Sequence, residues 1–104
     1  MSGNKEISIV DGKVYVVIYR VVEDGEDATL DTKVFDSEEK AIAYIARDYE
    51  DALNEERDED SAFAILSNDN YGNNAFIDVG NGDDGSVHHS HLWRMQLKTV
   101  NYGA

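Results

Sequence analysis

The segment from residue 80 to residue 93, GNGDDGSVHHSHLW, holds the residue types most able to do chemistry. Three acceptor side chains, three glycines and three histidines lie within its fourteen positions. Carboxylates and imidazoles at this density are typical of metal centres and of acid–base catalysis. The same composition is typical of a glycine-rich turn that leads into a strand.

The spacing excludes an EF-hand calcium loop. Such a loop needs oxygen ligands at positions 1, 3 and 5, glycine at position 6 and glutamate at position 12. A loop begun at Asp78 puts Gly80 and Gly82 at positions 3 and 5. A loop begun at Asn81 puts Leu92 at position 12. A calcium site of looser geometry stays open.

The histidines are predicted to lie on a strand, in which alternate side chains share a face. His89 and His91 are expected on the core face, and His88 on the other face. A His-x-His pair can chelate zinc, but a catalytic zinc site usually has three protein ligands. The expected register gives no third ligand on that face, so His89 and His91 are weak metal candidates and no cofactor is predicted. That register sets Ile77 opposite His89, Ala75 opposite His91, Asp78 opposite His88 and Val79 opposite Val87.

A catalytic centre is not predicted. Nucleophilic catalysis needs a nucleophile, a base and an orienting group that converge. Ser86 or Ser90 with His88 and Asp78 would supply the residue types. However, the chain has no Gly-x-Ser-x-Gly elbow and no phosphate-binding glycine motif. We therefore expect a protein that is not an enzyme, and we interpret the segment as a turn followed by a strand.

Composition predicts one domain with a strongly acidic surface. The chain has 104 residues, with 22 acids against nine bases and a formal net charge of −13. Such a charge disfavours direct contact with nucleic acid or anionic lipid and favours basic protein partners. The absence of cysteine excludes disulfides and thiolate chemistry. We expect no membrane association and a cytoplasmic location, because no membrane-length apolar run and no signal-like N-terminus is present.

Apolar periodicity predicts an α+β domain over residues 1–104: an antiparallel sheet of five to six strands, with one main amphipathic helix packed on one face. Asp11-Gly12 between β-branched runs predicts a hairpin. Asp36 is expected to cap the helix, with Glu39 completing a capping box. Strands are expected over 5–10, 13–22, 30–35, 61–66, 75–79 and 87–100, and the helix over about 37–57. The apolar stripe of the helix comprises Ala41, Ile42, Ile45, Tyr49, Ala52 and Leu53.

The predicted helix concentrates negative charge. Residues 36–60 hold eleven acids and three bases. Like charges recur at i,i+4 spacing, as in Asp51 and Glu55, and acids near the C-terminal end oppose the helix dipole. A local cost without visible compensation is typical of a functional surface. We expect a partner-binding face made of Tyr44, Asp48, Asp51, Glu55, Asp58 and Glu59.

The spacing of these carboxylates suggests the kind of partner. From Asp48 to Glu59 they span about 16 Å, or roughly one charge per 4 Å, close to the ~3.4 Å phosphate spacing of one DNA strand. The leading interpretation is a non-enzymatic nucleic-acid mimic that occupies the basic surface of a nuclease or other nucleic-acid-binding protein. In size and charge the chain resembles small acidic phage proteins that block restriction or CRISPR nucleases. The alternatives are an immunity protein against a basic nuclease toxin, an acidic binding module whose charge serves solubility, and a His-based metal-binding protein.

Overall fold

Within the part of the chain that the structure describes, one antiparallel sheet has a single helix against one face. The computed structural model describes residues 12–58 and 62–99. The elements are β1 (Lys13–Glu23), β2 (Glu26–Phe35), α1 (Glu38–Glu56), β3 (Ala64–Asn70), β4 (Asn74–Gly80) and β5 (Val87–Thr99). The strand order is β2-β1-β5-β4-β3, so the predicted α+β fold is confirmed. The strand predicted over 5–10, and residue 100 of the last predicted strand, lie outside the described residues.

The core lies between α1 and the middle of the sheet. Ala41, Ile45, Tyr49 and Leu53 are buried because their i,i+4 spacing puts them on one side of the helix. These four members of the predicted apolar stripe are confirmed. Trp93, at 1% exposure, is the largest fully buried side chain. The strand residues packed against the helix are Val17, Ala75, Ile77, Val79 and Trp93.

The β1–β2 hairpin is tighter than predicted. Asp24 and Gly25 have φ values of 52° and 82°, the pair of positive values that a two-residue hairpin turn requires. β2 therefore starts at Glu26, four residues earlier than predicted, and Glu26 lies directly opposite Glu23. This turn consequently gathers several acidic side chains.

β3 includes a polar stretch that was predicted to be a loop. Residues 64–70 pair antiparallel with β4 along the edge of the sheet. Ser67 and Asp69 stay exposed there, so the pairing that β4 offers prevails over their low strand propensity. The chain reverses at Gly72, whose φ is 94°.

The N-cap of α1 is Ser37, not Asp36. Ser37 has an extended backbone, and its Oγ accepts a hydrogen bond from the backbone N–H of Lys40 at 3.2 Å. Asp36 instead pairs with Lys40 Nζ at 2.9 Å. The predicted capping box of Asp36 and Glu39 is therefore wrong, because the last extended residue before the first turn is Ser37.

Candidate functional site

Three acidic segments meet at one end of the sheet, which we call the acidic pole. The β1–β2 turn lies there because Glu23 pairs with His89 near the start of β5. The β4–β5 loop lies there because it joins Gly80 to Val87. The C-terminal end of α1 lies there because Glu56 contacts His89. The acids of the pole are Glu23, Asp24, Glu26, Asp27, Glu55, Glu56, Asp58, Asp83 and Asp84.

Basic residues are sparse near the acidic pole. Arg20 lies close to it and pairs with Asp27 at 3.2 Å, and Arg57 is the C-cap of α1. Lys13 and Lys98, by contrast, lie at the opposite end of the paired strands β1 and β5. The domain is therefore unequally charged along its strand direction, and the pole attracts cations or basic surfaces.

The structure divides the six residues predicted to bind a partner. Asp51 and Glu55 are exposed on α1 and Asp58 is exposed just after its C-cap, whereas Tyr44 and Asp48 are partly buried. The sixth residue, Glu59, lies outside the described residues. The exposed acidic surface at this end of α1 is consequently smaller than predicted.

Tyr44 and Asp48 contribute to packing. The Tyr44 ring centroid lies 5.3 Å from that of Phe35, and the Tyr44 hydroxyl donates to Asp31 at 3.5 Å. Asp48 Oδ2 accepts a hydrogen bond from Trp93 Nε1 at 2.8 Å. Tyr44, which was expected on the partner-binding face, is partly buried and packs against the core, because the helix face that meets the sheet is wider than the apolar residues alone indicate.

The exposed acids on α1 lie in an unfavourable local field. The last turn of the helix holds no basic residue, and carboxylates near a helix C-terminus cost about 0.3–1 kcal/mol each. Arg47 lies four residues before Asp51, which allows one favourable helical pair. The excess of negative charge at this end of α1 therefore remains largely uncompensated within the helix.

The histidines enter the pole in a register different from the predicted one. His89 lies opposite Val79, and His91 lies opposite Ile77. The predicted register, with Val79 opposite Val87, was wrong by two residues. Because strand side chains alternate with a period of two, this shift leaves His89 and His91 on the predicted core face.

The hairpin closes at Gly80 and Val87, one residue later on β4 than predicted, and a β-bulge next to this pair adds the second residue of the shift. Gly80 pairs with Val87, which leaves His88 as the extra residue of β5. A side chain at Gly80 would overlap the carbonyl oxygen of Ser86, so glycine is required where the two backbones approach. Asp78 lies opposite Ser90 rather than His88. The bulge turns the His88 ring toward His89, with which it is in contact.

Glu56 is the carboxylate that joins the histidines, and the sequence interpretation missed it. Its Oε2 lies 2.8 Å from Nε2 of His89 and 2.6 Å from Nε2 of His91. The three side chains are only 13–17% exposed. The available signal was spacing, since Glu56 follows Leu53 by three residues and Tyr49 by seven and so continues the buried stripe of α1.

The other ring nitrogens of the two histidines are also engaged. Nδ1 of His91 lies 2.6 Å from the hydroxyl oxygen of Tyr19. Nδ1 of His89 lies 2.8 Å from Nδ1 of His88. Phe63 stacks on the His88 ring at 4.2 Å, and Tyr19 stacks on His91 at 6.0 Å between centroids. The contacts at Nδ1 therefore fix the orientations of the His89 and His91 rings on the side away from Glu56.

These surroundings shift the pKa values of Glu56 and Tyr19. Burial opposes ionisation of Glu56, but hydrogen bonds from His91 and His89 outweigh it and hold the pKa of Glu56 below its usual range. Burial, followed by the nearby carboxylates of which Asp48 is the strongest, raises the pKa of Tyr19 to about 12. Tyr19 is therefore a neutral hydroxyl at ordinary pH, and Glu56 is a carboxylate.

Two clusters in the described ranges place three metal-ligating atoms within 4.8 Å of one another. The inner cluster is Glu56, His89 and His91. The outer cluster, Glu23 with Asp24 and His88, has exposed acids. Neither of these clusters includes Asp83 or Asp84, the carboxylates of the loop considered for calcium.

The serines considered for catalysis donate to carboxylates rather than to a histidine. Ser90 Oγ donates to Asp78 at 2.6 Å, and Ser86 Oγ donates to Asp84 at 2.7 Å. His88, the base considered with them, contacts His89. This arrangement does not assemble the Ser–His–Asp geometry that nucleophilic catalysis needs.

Comparison with protein families, curated proteins and solved structures found no match. Within the described ranges, no helix combines the length and apolar character needed to cross a lipid bilayer. Function must therefore be inferred from the chemistry of the acidic pole and of the α1 surface beside it.

Proposed function

We propose that the protein is a non-enzymatic, cytoplasmic inhibitor that mimics nucleic acid and covers the basic nucleic-acid-binding surface of a partner. The partner class is a nuclease or a related protein, as in phage defence against restriction or CRISPR systems. The supporting observation is the convergence of acids from α1 and two turns. Asp51 and Glu55 lie on the exposed surface of α1 and Asp58 lies just after its C-cap, so these carboxylates lead from the helix into the acidic pole.

The charges on α1 suit a row of phosphate-binding side chains. Asp51 and Glu55 are separated by four residues, or about 6 Å of helix, and Asp58 follows the C-cap Arg57. Guanidinium groups bind carboxylates and phosphates with the same paired hydrogen bonds. A surface that binds a phosphate backbone can therefore bind these carboxylates. Because the excess charge acts at a distance, association should be fast at low salt and strongly weakened by added salt.

The half-buried Tyr44 and Asp48 are not part of the proposed contact surface. Tyr44 packs on Phe35, and Asp48 accepts from Trp93, so both are committed to the fold. The proposed contacts are therefore Asp51, Glu55 and Asp58, with the turns of the acidic pole beside them.

An immunity protein against a basic nuclease toxin is the second candidate, because it would use the same exposed carboxylates. The identity of the captured partner separates the two: a toxin encoded by the same cell indicates immunity, and a defence nuclease indicates counter-defence. If the acids only maintain solubility, replacing them should have the same effect wherever on the surface they lie.

The test is affinity capture from lysate with two variants of equal charge. The first carries Asp51→Lys, Glu55→Lys and Asp58→Lys. The matched control carries Glu39→Lys, Glu50→Lys and Asp69→Lys, three exposed acids elsewhere on α1 and on β3. Circular dichroism verifies that both variants fold.

The proposal predicts capture of one basic nucleic-acid-binding protein by the wild type and by the control, but not by the first variant. Capture by the wild type and by the control should be lost when the salt concentration is raised to a moderate level. Equal capture by both variants, or equal loss from both, would show that binding does not depend on the exposed acids of α1 and would overturn the proposal.

A further inference from the structure

We propose that Glu56, His89 and His91 form a binding site for a divalent first-row transition-metal ion of the zinc class. The ligands would be one carboxylate oxygen of Glu56 and the Nε2 atoms of the two histidines. This site goes beyond the proposed inhibitory function and does not depend on it.

The convergence of the three ligand atoms carries the inference. Both Nε2 atoms point at the same carboxylate oxygen, at 2.8 Å and 2.6 Å, and all ligand atoms of the cluster lie within 4.8 Å of one another. Tetrahedral ligands at ~2.0–2.1 Å from zinc are themselves about 3.3 Å apart. Loading the ion therefore requires the Glu56 carboxylate to withdraw by roughly half an ångström, which its flexible side chain at the end of α1 allows.

The donor set indicates the class of ion. Imidazole nitrogens favour zinc, copper, nickel, cobalt and iron, whereas magnesium and calcium prefer sites made only of oxygen ligands. Two histidines and one carboxylate also leave at least one coordination position for water or another small ligand. The chain contains no cysteine, so thiolate ligation plays no part.

The groups behind the histidines suit metal ligation. In a metal site a histidine usually donates its second ring N–H to an outer partner, which fixes the ring and its tautomer. Here Nδ1 of His91 contacts the Tyr19 hydroxyl, and Nδ1 of His89 contacts His88. In a neutral histidine whose Nε2 donates to Glu56, Nδ1 must accept a hydrogen bond. When Nε2 instead binds a metal, Nδ1 carries the proton and donates.

The Tyr19 hydroxyl and His88 can pair with Nδ1 of His91 and His89 in both the metal-free and the metal-bound state. The Tyr19 hydroxyl can donate or accept by rotation, and a neutral His88 can do the same by exchanging tautomers. Stacking of Tyr19 on His91 and of Phe63 on His88 keeps both partners in place. The cluster can thus bind and release an ion without leaving a polar atom unpaired.

The location also favours a cation. The inner cluster lies among the acids of the acidic pole, with Glu23 and Asp24 on the neighbouring turn and Glu55 beside Glu56. A surrounding of one charge sign raises the local concentration of the opposite ion. The three ligand side chains are 13–17% exposed. Water therefore competes little for the ligand atoms, while an ion can still reach them from solvent.

The experiment is calorimetric titration of the chelator-treated full chain with zinc chloride, repeated with Glu56→Gln, His91→Ala and Tyr19→Phe, and with Glu23→Gln to test the outer cluster. Glu55→Gln is the matched control, because Glu55 is the exposed neighbour of Glu56 with the same charge. Cobalt(II) absorption in the visible range reports the coordination geometry of the same site. Circular dichroism verifies the fold of each variant.

We expect one ion per chain with a dissociation constant in the micromolar range or below. Glu56→Gln and His91→Ala should weaken binding at least tenfold and remove the cobalt spectrum. Tyr19→Phe should weaken binding about 10- to 100-fold, as loss of an outer partner does. Glu55→Gln removes one exposed charge of the surroundings but no ligand, so it should weaken binding by less than about threefold.

Three results would overturn the assignment. The first is absence of stoichiometric zinc binding by the wild type, which would leave Glu56, His89 and His91 as a hydrogen-bonded polar cluster. The second is equal weakening by Glu55→Gln and Glu56→Gln, which would indicate diffuse attraction to the acidic pole. The third is binding that survives Glu56→Gln but is lost in Glu23→Gln, which would place the ion in the outer cluster.

Discussion

Asp48 should stabilise the fold through Trp93 rather than bind a partner. In Asp48→Ala the Trp93 indole N–H loses an acceptor at 2.8 Å, and Trp93 is only 1% exposed. A hydrogen bond to a charged group contributes about 1.5–3 kcal/mol, and a buried donor left unpaired costs ~1–3 kcal/mol. We expect Asp48→Ala to lower the free energy of unfolding by about 2 kcal/mol.

Asp51→Ala is the control, because Asp51 lies on the same helix and is exposed. Both substitutions replace aspartate with the best helix former, so the propensity gain cancels in the comparison. Asp51→Ala should change the free energy of unfolding by no more than ~0.5 kcal/mol. Asp48→Asn, which keeps an acceptor oxygen, should fall between the two.

Urea unfolding followed by tryptophan fluorescence measures these differences directly, since Trp93 is the single tryptophan of the chain. The change in the emission of Trp93 also reports its own environment in each variant. Equal free energies of unfolding for Asp48→Ala and Asp51→Ala would refute the packing role of Asp48 and return it to the partner-binding face.

Three further predictions concern Gly80 at the end of β4, the N-cap of α1 and Glu56. Gly80→Ala should destabilise the domain by at least ~2 kcal/mol in urea unfolding, because its methyl group would overlap the Ser86 carbonyl oxygen; an unchanged midpoint would contradict the close approach. Ser37→Ala should cost about 1 kcal/mol and Asp36→Ala less, since the N-cap contact belongs to Ser37; the reverse order would restore Asp36 as the cap. The effect of burial is outweighed by hydrogen bonds from His91 and His89, which hold the pKa of Glu56 below its ordinary 4.5. The ionised Glu56 therefore stabilises the fold above that pH, and this contribution is lost as the pH falls through the lower pKa of the folded state. Glu56→Gln should therefore flatten the decline of stability as the pH falls below 4.5, and an identical decline in both proteins would contradict the contact.

The main elements of the fold were predictable because their signals are local. β-branched alternation predicts β1, and the 3.6-residue apolar period predicts α1 with its buried residues Ala41, Ile45, Tyr49 and Leu53. β3 was placed only in part, since its polar residues are held by pairing with β4 along a sheet edge. Pairing partners of this kind are distant in sequence, and local propensity does not report them.

The inner cluster shows a second limit of sequence reasoning. The shared face of His89 and His91 was predictable from strand alternation, but Glu56 lies 33 residues before His89. Charge made Glu56 resemble the solvent-exposed acids around it, although its spacing from Leu53 places it on the buried stripe. A polar residue at a stripe position is therefore informative, because burying it requires a partner.

The register at the acidic pole could not be deduced from alternation alone. A β-bulge at Gly80 adds one residue to β5 and changes every cross-strand partner of the histidines. The glycine was interpreted as a turn residue, which accounts for flexibility but not for the close approach to Ser86. Only the folded geometry shows that His88 and His89 are in contact.

The most direct test of the proposed inhibitory function is whether nucleic acid and this protein exclude one another on the captured partner. Fluorescence anisotropy of a labelled oligonucleotide bound to that partner would be measured while the protein is added, at several salt concentrations. Mimicry predicts complete displacement of the oligonucleotide, at a protein concentration that rises with salt, and no displacement by the Asp51→Lys, Glu55→Lys, Asp58→Lys variant. A stable ternary complex of partner, oligonucleotide and protein would contradict it.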